Sequence, residues 1–277
     1  MIDDIPFPDF LGFVDDAKGQ RPPDPIEQIA KEELRAYIEE NKEQVFFSRQ
    51  LEVLYEDKYF HWITNRAIRH LEGEGFVNSE VRQMITGGTI KLYWHKNFRY
   101  YKRSATKLTS LVEEYSNPNV SLALGLHGEI MVLTLFADAQ FVQLGRETRS
   151  FRGKIWNVTE HDVDFIFERD EIAYGVEVKN TLGYMDKKEF DVKVKLCLHL
   201  GIRPLFAVRM MPKSWMYELS NVGGFGLIFK YQLYHWTHKE LAKRVASEIG
   251  LPVDAPKRLS SSTMSRFLRW HNQQIDM

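Results

Sequence analysis

"HDVDFIFERDEIAYGVEVKN", residues 161–180, decides how the chain is read. Two β-prone runs, 162–168 and 172–179, flank a charged turn. Alternate side chains of a strand share a face. Val163, Phe165 and Phe167 therefore fall on one face of the first run, and Asp162, Asp164 and Ile166 on the other. In the second run Val176 and Val178 oppose Glu177 and Lys179. With the turn inside 168–171, one register sets Asp164 opposite Glu177 and another sets Asp162 there. Either register gathers a carboxylate pair and a lysine on one side of a sheet whose other side is core.

Two carboxylates that close repel strongly and stay ionised mainly when a cation lies between them. Oxygen ligands with no His or Cys among them favour Mg²⁺ or Mn²⁺. An ion there activates water and stabilises phosphorane-like charge, while Lys179 orients the attacking water and offsets negative charge. The bland alternative is an edge-strand ladder of cross-strand ion pairs. The triplet Glu-x-Lys alone selects nothing, since Glu56-Asp57-Lys58 matches it in what reads as a solvated turn. The hairpin context carries the weight.

Asp164 followed thirteen residues later by Glu177-Val178-Lys179 resembles the PD-(D/E)xK nuclease superfamily, the restriction-endonuclease-like fold shared with Holliday junction resolvases. Val163 stands where the proline of that signature would be. The order of elements over 120–210, helix, hairpin, helix, strand, is similar to the family's core and covers about a third of the chain. The resemblance implies that Asp164 and Glu177 ligate Mg²⁺ with the Val178 carbonyl, that Lys179 positions the nucleophilic water, and that Glu129 in "LHGEIMV" binds the ion directly or through water. Asp162 is the alternative ligand. Glu129 is also conspicuous by itself, as the only acid between Glu114 and Asp138 on an otherwise apolar helix; the bland reading is a surface position. Asn180 reads as a phosphate contact or a strand-end cap.

Outward from the hairpin, 186–201 reads as a helix ended by Gly201, 203–210 as a strand, 212–221 as a short helix and 226–234 as another strand. The segment 120–141 is apolar nearly all round and reads as a buried helix. Alternation of α and β elements predicts an α/β domain, a mixed central sheet flanked by helices, over 116–236. Residues 237–277 read as a helical C-terminal tail.

Upstream, residues 1–25 are Pro-rich and read as an extended arm, followed by a helix over 24–42. Ser48 suits the N-cap of a helix over 48–56; a second helix starts at His61 and ends at Gly73 or Gly75, and Gly87-Gly88 signals a hairpin over 81–94. A linking helix follows at 105–115. Helix, helix, hairpin resembles a winged helix-turn-helix, so 26–115 is expected to be a winged-helix DNA-binding domain. Asn65, Arg66 and Arg69 share the polar face of its second helix and suit major-groove contacts. The stretch 89–107 has no acid and interleaves aromatics with Lys91, Lys96, Arg99, Lys102 and Arg103, which suit phosphates. The plainer alternative is a wing whose aromatics are core and whose charges are solvated.

Net charge is −1, so any nucleic-acid site is local. The single cysteine, Cys197, excludes an internal disulfide and a Cys-rich zinc site and implies a cytoplasmic, reducing setting. No HExxH, P-loop or GxGxxG occurs, and no apolar run is read as membrane-spanning. The expectation is a Mg²⁺- or Mn²⁺-dependent DNA endonuclease leaving a 5′-phosphate. Its partners would be DNA, a second copy of the chain, and proteins of a restriction, repair or transposition system. The rival readings are a non-catalytic DNA-binding regulator on a nuclease-like scaffold and an RNA nuclease.

Overall fold

The computed structural model describes residues 24–275, so the arm expected over 1–25 lies almost wholly outside them. Two compact units are present: 24–118 with the segment Ser247–Leu251, and Asn119–Ala246 with 252–275.

In the first unit, α1 (Pro25–Glu40) starts where Pro25 needs no hydrogen bond and the Asp24 side chain caps the Ile26 N–H at 2.9 Å. Ala30, Leu34 and Ile38, four apart, form its buried ridge; Ile26 and Ile29 are exposed. Then follow β1 (Val45–Phe47), α2 (Ser48–Leu54) and α3 (His61–Gly73). Ser48 is the first residue of α2 rather than its cap; Phe47 takes that position, its N–H donating to the Gln50 side chain at 3.4 Å. β2 (Val77–Gln83), β3 (Thr89–His95) and α4 (Tyr101–Tyr115) complete the unit. The strands form an antiparallel sheet in the order β1-β3-β2, with Gly87 and Gly88 at positive φ (93° and 76°) in the β2–β3 turn. Leu34, Phe46, Leu51, Ile68, Leu71 and Tyr93 are the centre of its core.

The second unit is α/β. Its elements are α5 (Pro118–Asp138), β4 (Val142–Thr148), β5 (Ser150–Phe151), β6 (Lys154–Ile155), β7 (Val163–Arg169), β8 (Ile172–Lys179) and α6 (Lys187–Leu200). After these come β9 (Arg203–Val208), α7 (Lys213–Asn221), β10 (Phe225–Ile228), β11 (Gln232–Leu233), α8 (Lys239–Arg244), β12 (Val253–Asp254) and α9 (Ser261–Ile275). Five strands form a mixed sheet in the order β10-β9-β8-β7-β4. β4, β7 and β8 are antiparallel neighbours; β8, β9 and β10 run parallel. The run read as one strand over 226–234 is split into β10 and β11, with Lys230 at φ 75° between them. Lysine rarely adopts that conformation, and the turn it makes ends the ladder.

Helices cover both faces. Met131, Val132 and Phe136 of α5 and Met264 and Phe267 of α9 pack on Phe165, Phe167, Tyr174 and Val176. Leu196, Cys197 and Leu200 of α6 pack on Ile166 and Ala173 of the opposite face. Gly175 permits this approach, because a Cβ there would lie 2.6 Å from Cys197 Sγ. The segment set apart as a C-terminal tail thus supplies core.

Two features of α5 correct the sequence reading. Leu122, Leu126 and Ile130 are exposed along one stripe, so the helix is buried only in part. Averaged over its length, the helix is also long and apolar enough to cross a membrane, because His127, Gly128 and Glu129 interrupt the run without outweighing it.

α9 is tied to the turn of the β7–β8 hairpin. His271, 0% exposed, meets the Tyr174 hydroxyl through Nδ1 at 2.7 Å and Asp170 Oδ2 through Nε2 at 3.0 Å. Asp170 and Glu171 form that turn at φ 52° and 61°, a geometry ordinarily given to Asn, Asp or Gly and rarely to Glu. His271→Ala should therefore destabilise the protein by about 3 kcal/mol, from a buried hydroxyl left unpaired and a lost packed ring. Urea denaturation checks this, and a loss within error of zero would show that α9 is held by its aromatics alone.

Candidate functional site

Register places the charged residues. Phe165 pairs with Val176 and Ile166 with Gly175, so the ladder carried one residue further sets Asp164 across from Glu177. Of the two registers left open by the sequence, this selects Asp164. The Asp164 Oδ2 accepts the Val178 N–H at 2.6 Å, which fixes the carboxylate at the mouth of the ladder. β8 is the central strand of five, and Glu177 is 3% exposed. A solvent-facing edge ladder is thereby ruled out.

Glu129 arrives from α5 at the same end of the sheet. α5 presses on the end of β8 through Gly128, where a Cβ would lie 2.7 Å from Asn180 Cβ. Asn180 is buried, and its Nδ2 donates to Leu124 O at 2.8 Å and Leu233 O at 2.7 Å while Oδ1 accepts the Leu233 N–H at 2.6 Å. It is a strand-end clamp, with no donor left for a phosphate. Glu129 is held by Arg146 of β4, whose Nη2 stands 3.3 Å from Oε2.

Lys179 Nζ is 3.4 Å from Glu177 Oε1 and 2.8 Å from Glu189 Oε1 on α6. A second lysine, not foreseen from sequence, completes the group. Lys193 of α6 donates to Asp162 O at 2.6 Å and stands 2.6 Å from Glu177 Oε2, an ion pair whose angle falls short of a hydrogen bond. Its distance to Asp162 Oδ1 is 3.7 Å. Asp162 therefore belongs with Lys193. A signal was available, since Phe190, Lys193, Leu196, Cys197 and Leu200 share the buried stripe of α6.

The electrostatics match this crowding of carboxyls. Burial, then the negative charge of Asp164, pushes Glu177 up to about 7 despite both lysines. Burial raises Asp164 as well, against the Val178 N–H and the lysines. Burial and then Asp164 raise Glu129, partly offset by Arg146. For Lys179, burial works to lower the pKa, but Glu177, Glu189 and Asp164 outweigh it and the net direction is up. Burial leads in all three, so these raised carboxyls mark a place where negative charge is crowded out of reach of water. No group of three His, Cys, Asp or Glu side chains closes to metal-ligand spacing among the described residues, and lysines hold both oxygens of Glu177 instead. The donor set itself, carboxylates without nitrogen or sulfur, is that of a hard divalent ion.

The basic residues of the first unit divide into two groups. Asn65 hydrogen-bonds Glu52, Arg66 Nε lies 3.9 Å from Glu27 Oε1, and Lys91 pairs with Glu72 at 2.7 Å. Arg69 is exposed on α3. Lys96, Arg99, Lys102 and Arg103 are exposed and have no carboxylate partner among the described residues. Arg99, Lys102 and Arg103, with Phe98, Tyr100 and Ser104, line an open cleft at the start of α4. That helix has no side-chain cap and no acid in its first turn, so its N–H groups and dipole add to the positive field.

Comparison of the chain with protein-family models, curated proteins and solved structures gave no match.

Proposed function

We propose that the protein is a metal-dependent DNA endonuclease, with a PD-(D/E)xK-type second unit and a winged-helix first unit that recruits DNA. The observation that supports this best is the facing of Asp164 and Glu177 on two interior strands, with Lys179 beside them and all three nearby carboxyls raised. Asp164, Glu177, Glu129 and the Val178 carbonyl are the groups that would hold Mg²⁺ or Mn²⁺, which when bound supplies charge stabilisation at the phosphate and a water of lowered pKa. Lys179 directs its ammonium to the water and the scissile phosphate, steadied by Glu189. Arg146 holds the Glu129 carboxylate, and Asn180 keeps the end of β8 fixed.

DNA phosphates would sit against Lys96, Arg99, Lys102 and Arg103 and the uncapped end of α4, the combination of exposed cations and helix N-terminus that suits anions. Arg69, exposed on α3, and Arg66, whose side chain is 42% exposed, are the base-contact candidates there.

The test is incubation with supercoiled DNA, linear duplex and RNA in Mg²⁺ or Mn²⁺, against EDTA. Metal-dependent nicking of DNA is expected. Binding of DNA without cleavage of any substrate would sink the enzyme and leave a regulator; cleavage of RNA alone would make it an RNA nuclease. The triple substitution Arg99→Ala, Lys102→Ala, Arg103→Ala should weaken binding evenly across sequences. It should also lower the salt slope by roughly one for each phosphate that is no longer neutralised.

A further inference from the structure

Lys193 is a buried cation whose place the reaction just described does not use. It is 6% exposed and sits inside the apolar stripe of α6, where a solvated lysine has no reason to be. Burying an ammonium is costly unless a carboxylate shares the site, and the same holds in reverse for Glu177. The two stand 2.6 Å apart as an ion pair, although Glu177 Oε2 is left without a hydrogen bond. Their contact also occupies an oxygen that a divalent ion would need, because Lys179 stands at the other oxygen of the same carboxylate. Both lysines have somewhere else to go. Lys179 already pairs with Glu189 at 2.8 Å. Lys193 already donates to the Asp162 carbonyl at 2.6 Å, with the Asp162 carboxylate 3.7 Å away.

Building on the metal-site reading above, we propose that Lys193 is a built-in counter-cation that holds Glu177 in place until a divalent ion takes over the carboxylate, whereupon Lys193 turns to Asp162. Lys193 is a positioning residue in this arrangement and touches neither substrate nor reacting atoms. Asp162 acquires a purpose distinct from the ligand role considered for it, as the acceptor of the displaced ammonium. The exchange moves a charge by the length of one side-chain rotation and needs no movement of the backbone, since the carbonyl bond to Asp162 persists throughout.

A lysine that competes with the ion makes a prediction opposite to that of a lysine that merely supports the fold. Removing it takes away a positive charge that repels the incoming ion, so the affinity for the ion rises. Mn²⁺ alone, without nucleic acid, is titrated into the full chain by calorimetry and by thermal melting, for wild type, Lys193→Met and Lys193→Arg. Lys193→Met should melt lower than wild type in EDTA, gain more from Mn²⁺, and bind it at least about tenfold more tightly, by removal of a like charge at close range. Lys193→Arg should restore the wild-type affinity. Equal or weaker Mn²⁺ binding by Lys193→Met, beside a wild type that binds, overturns the proposal alone. A wild type that takes up no Mn²⁺ removes the metal reading itself, so the two failures are told apart. Should Lys193→Met not fold in EDTA, the double variant Glu177→Gln/Lys193→Met decides. Recovery of folding supports a lysine required only by the charge of Glu177; continued failure overturns it.

Discussion

Alanine at position 164 should lower DNA cleavage on the order of 10³-fold, the scale on which a single electrostatic contributor to a transition state is lost. The same substitution should leave the melting temperature unchanged or raise it. Asp164 is a buried carboxyl, raised by that burial, and its charge also raises both Glu177 and Glu129. Removing it relieves two neighbours at the cost of one hydrogen bond from Val178. A residue that holds structure loses stability when truncated; one that holds charge for a reaction loses only rate. Lys179→Ala should show a similar loss of rate, since it removes the ammonium beside Glu177 and leaves no donor to the water. Cleavage kinetics beside melting curves check both. Undiminished cutting by Asp164→Ala would place the chemistry elsewhere.

The second large effect is on stability against pH. In the unfolded chain Glu177 ionises near its ordinary value of 4.5, while in the folded state it keeps its proton up to about 7. Between those values the folded state binds more protons, so stability falls as pH rises, and the loss is complete above about 7. At 1.36 kcal/mol per pH unit of displacement the loss attributable to this group is about 3 kcal/mol. Carboxylates such as Glu72 and Glu74, lowered by their partners, act in the opposite direction at lower pH, so the comparison must be with Glu177→Gln. In EDTA, wild type should lose about 3 kcal/mol relative to that variant between pH 4.5 and 7. Urea denaturation across that range measures it, and a constant difference would mean that the folded carboxyl ionises as freely as the unfolded one.

Much of this was legible beforehand for reasons that can be traced to particular residues. Strand alternation alone put Asp164, Glu177 and Lys179 on one face. Asp186 and Gly201 bracket α6 because a capping carboxylate and a left-handed glycine are local signals. β4 escaped notice because it is an edge strand with a register shift between Gln143 and Gly145, and its side chains are mostly exposed. Lys193 escaped although helical spacing sets it, and not Lys195, on the stripe of Phe190, Leu196, Cys197 and Leu200, because a lysine there was not expected to be covered. Asn65 and Arg66 looked free on their helix, but Glu52 and Glu27, thirteen and thirty-nine residues earlier, reach them from α2 and α1. Local periodicity finds faces; it does not find partners distant along the chain.

The bond between His271 and Tyr174 spans 97 residues and fastens a turn whose Asp170 and Glu171 sit in costly backbone conformations. During synthesis the hairpin leaves the ribosome well before the helix that fastens it. Until α9 is made, the sheet lacks Met264 and Phe267, and Tyr174 and its neighbours keep only the cover that α5 and Phe141 give. A nascent chain stalled before residue 261 would therefore carry all four candidate site residues on an unfinished sheet. If the proposed DNA cleavage holds, the order of translation would withhold that activity until α9 has emerged.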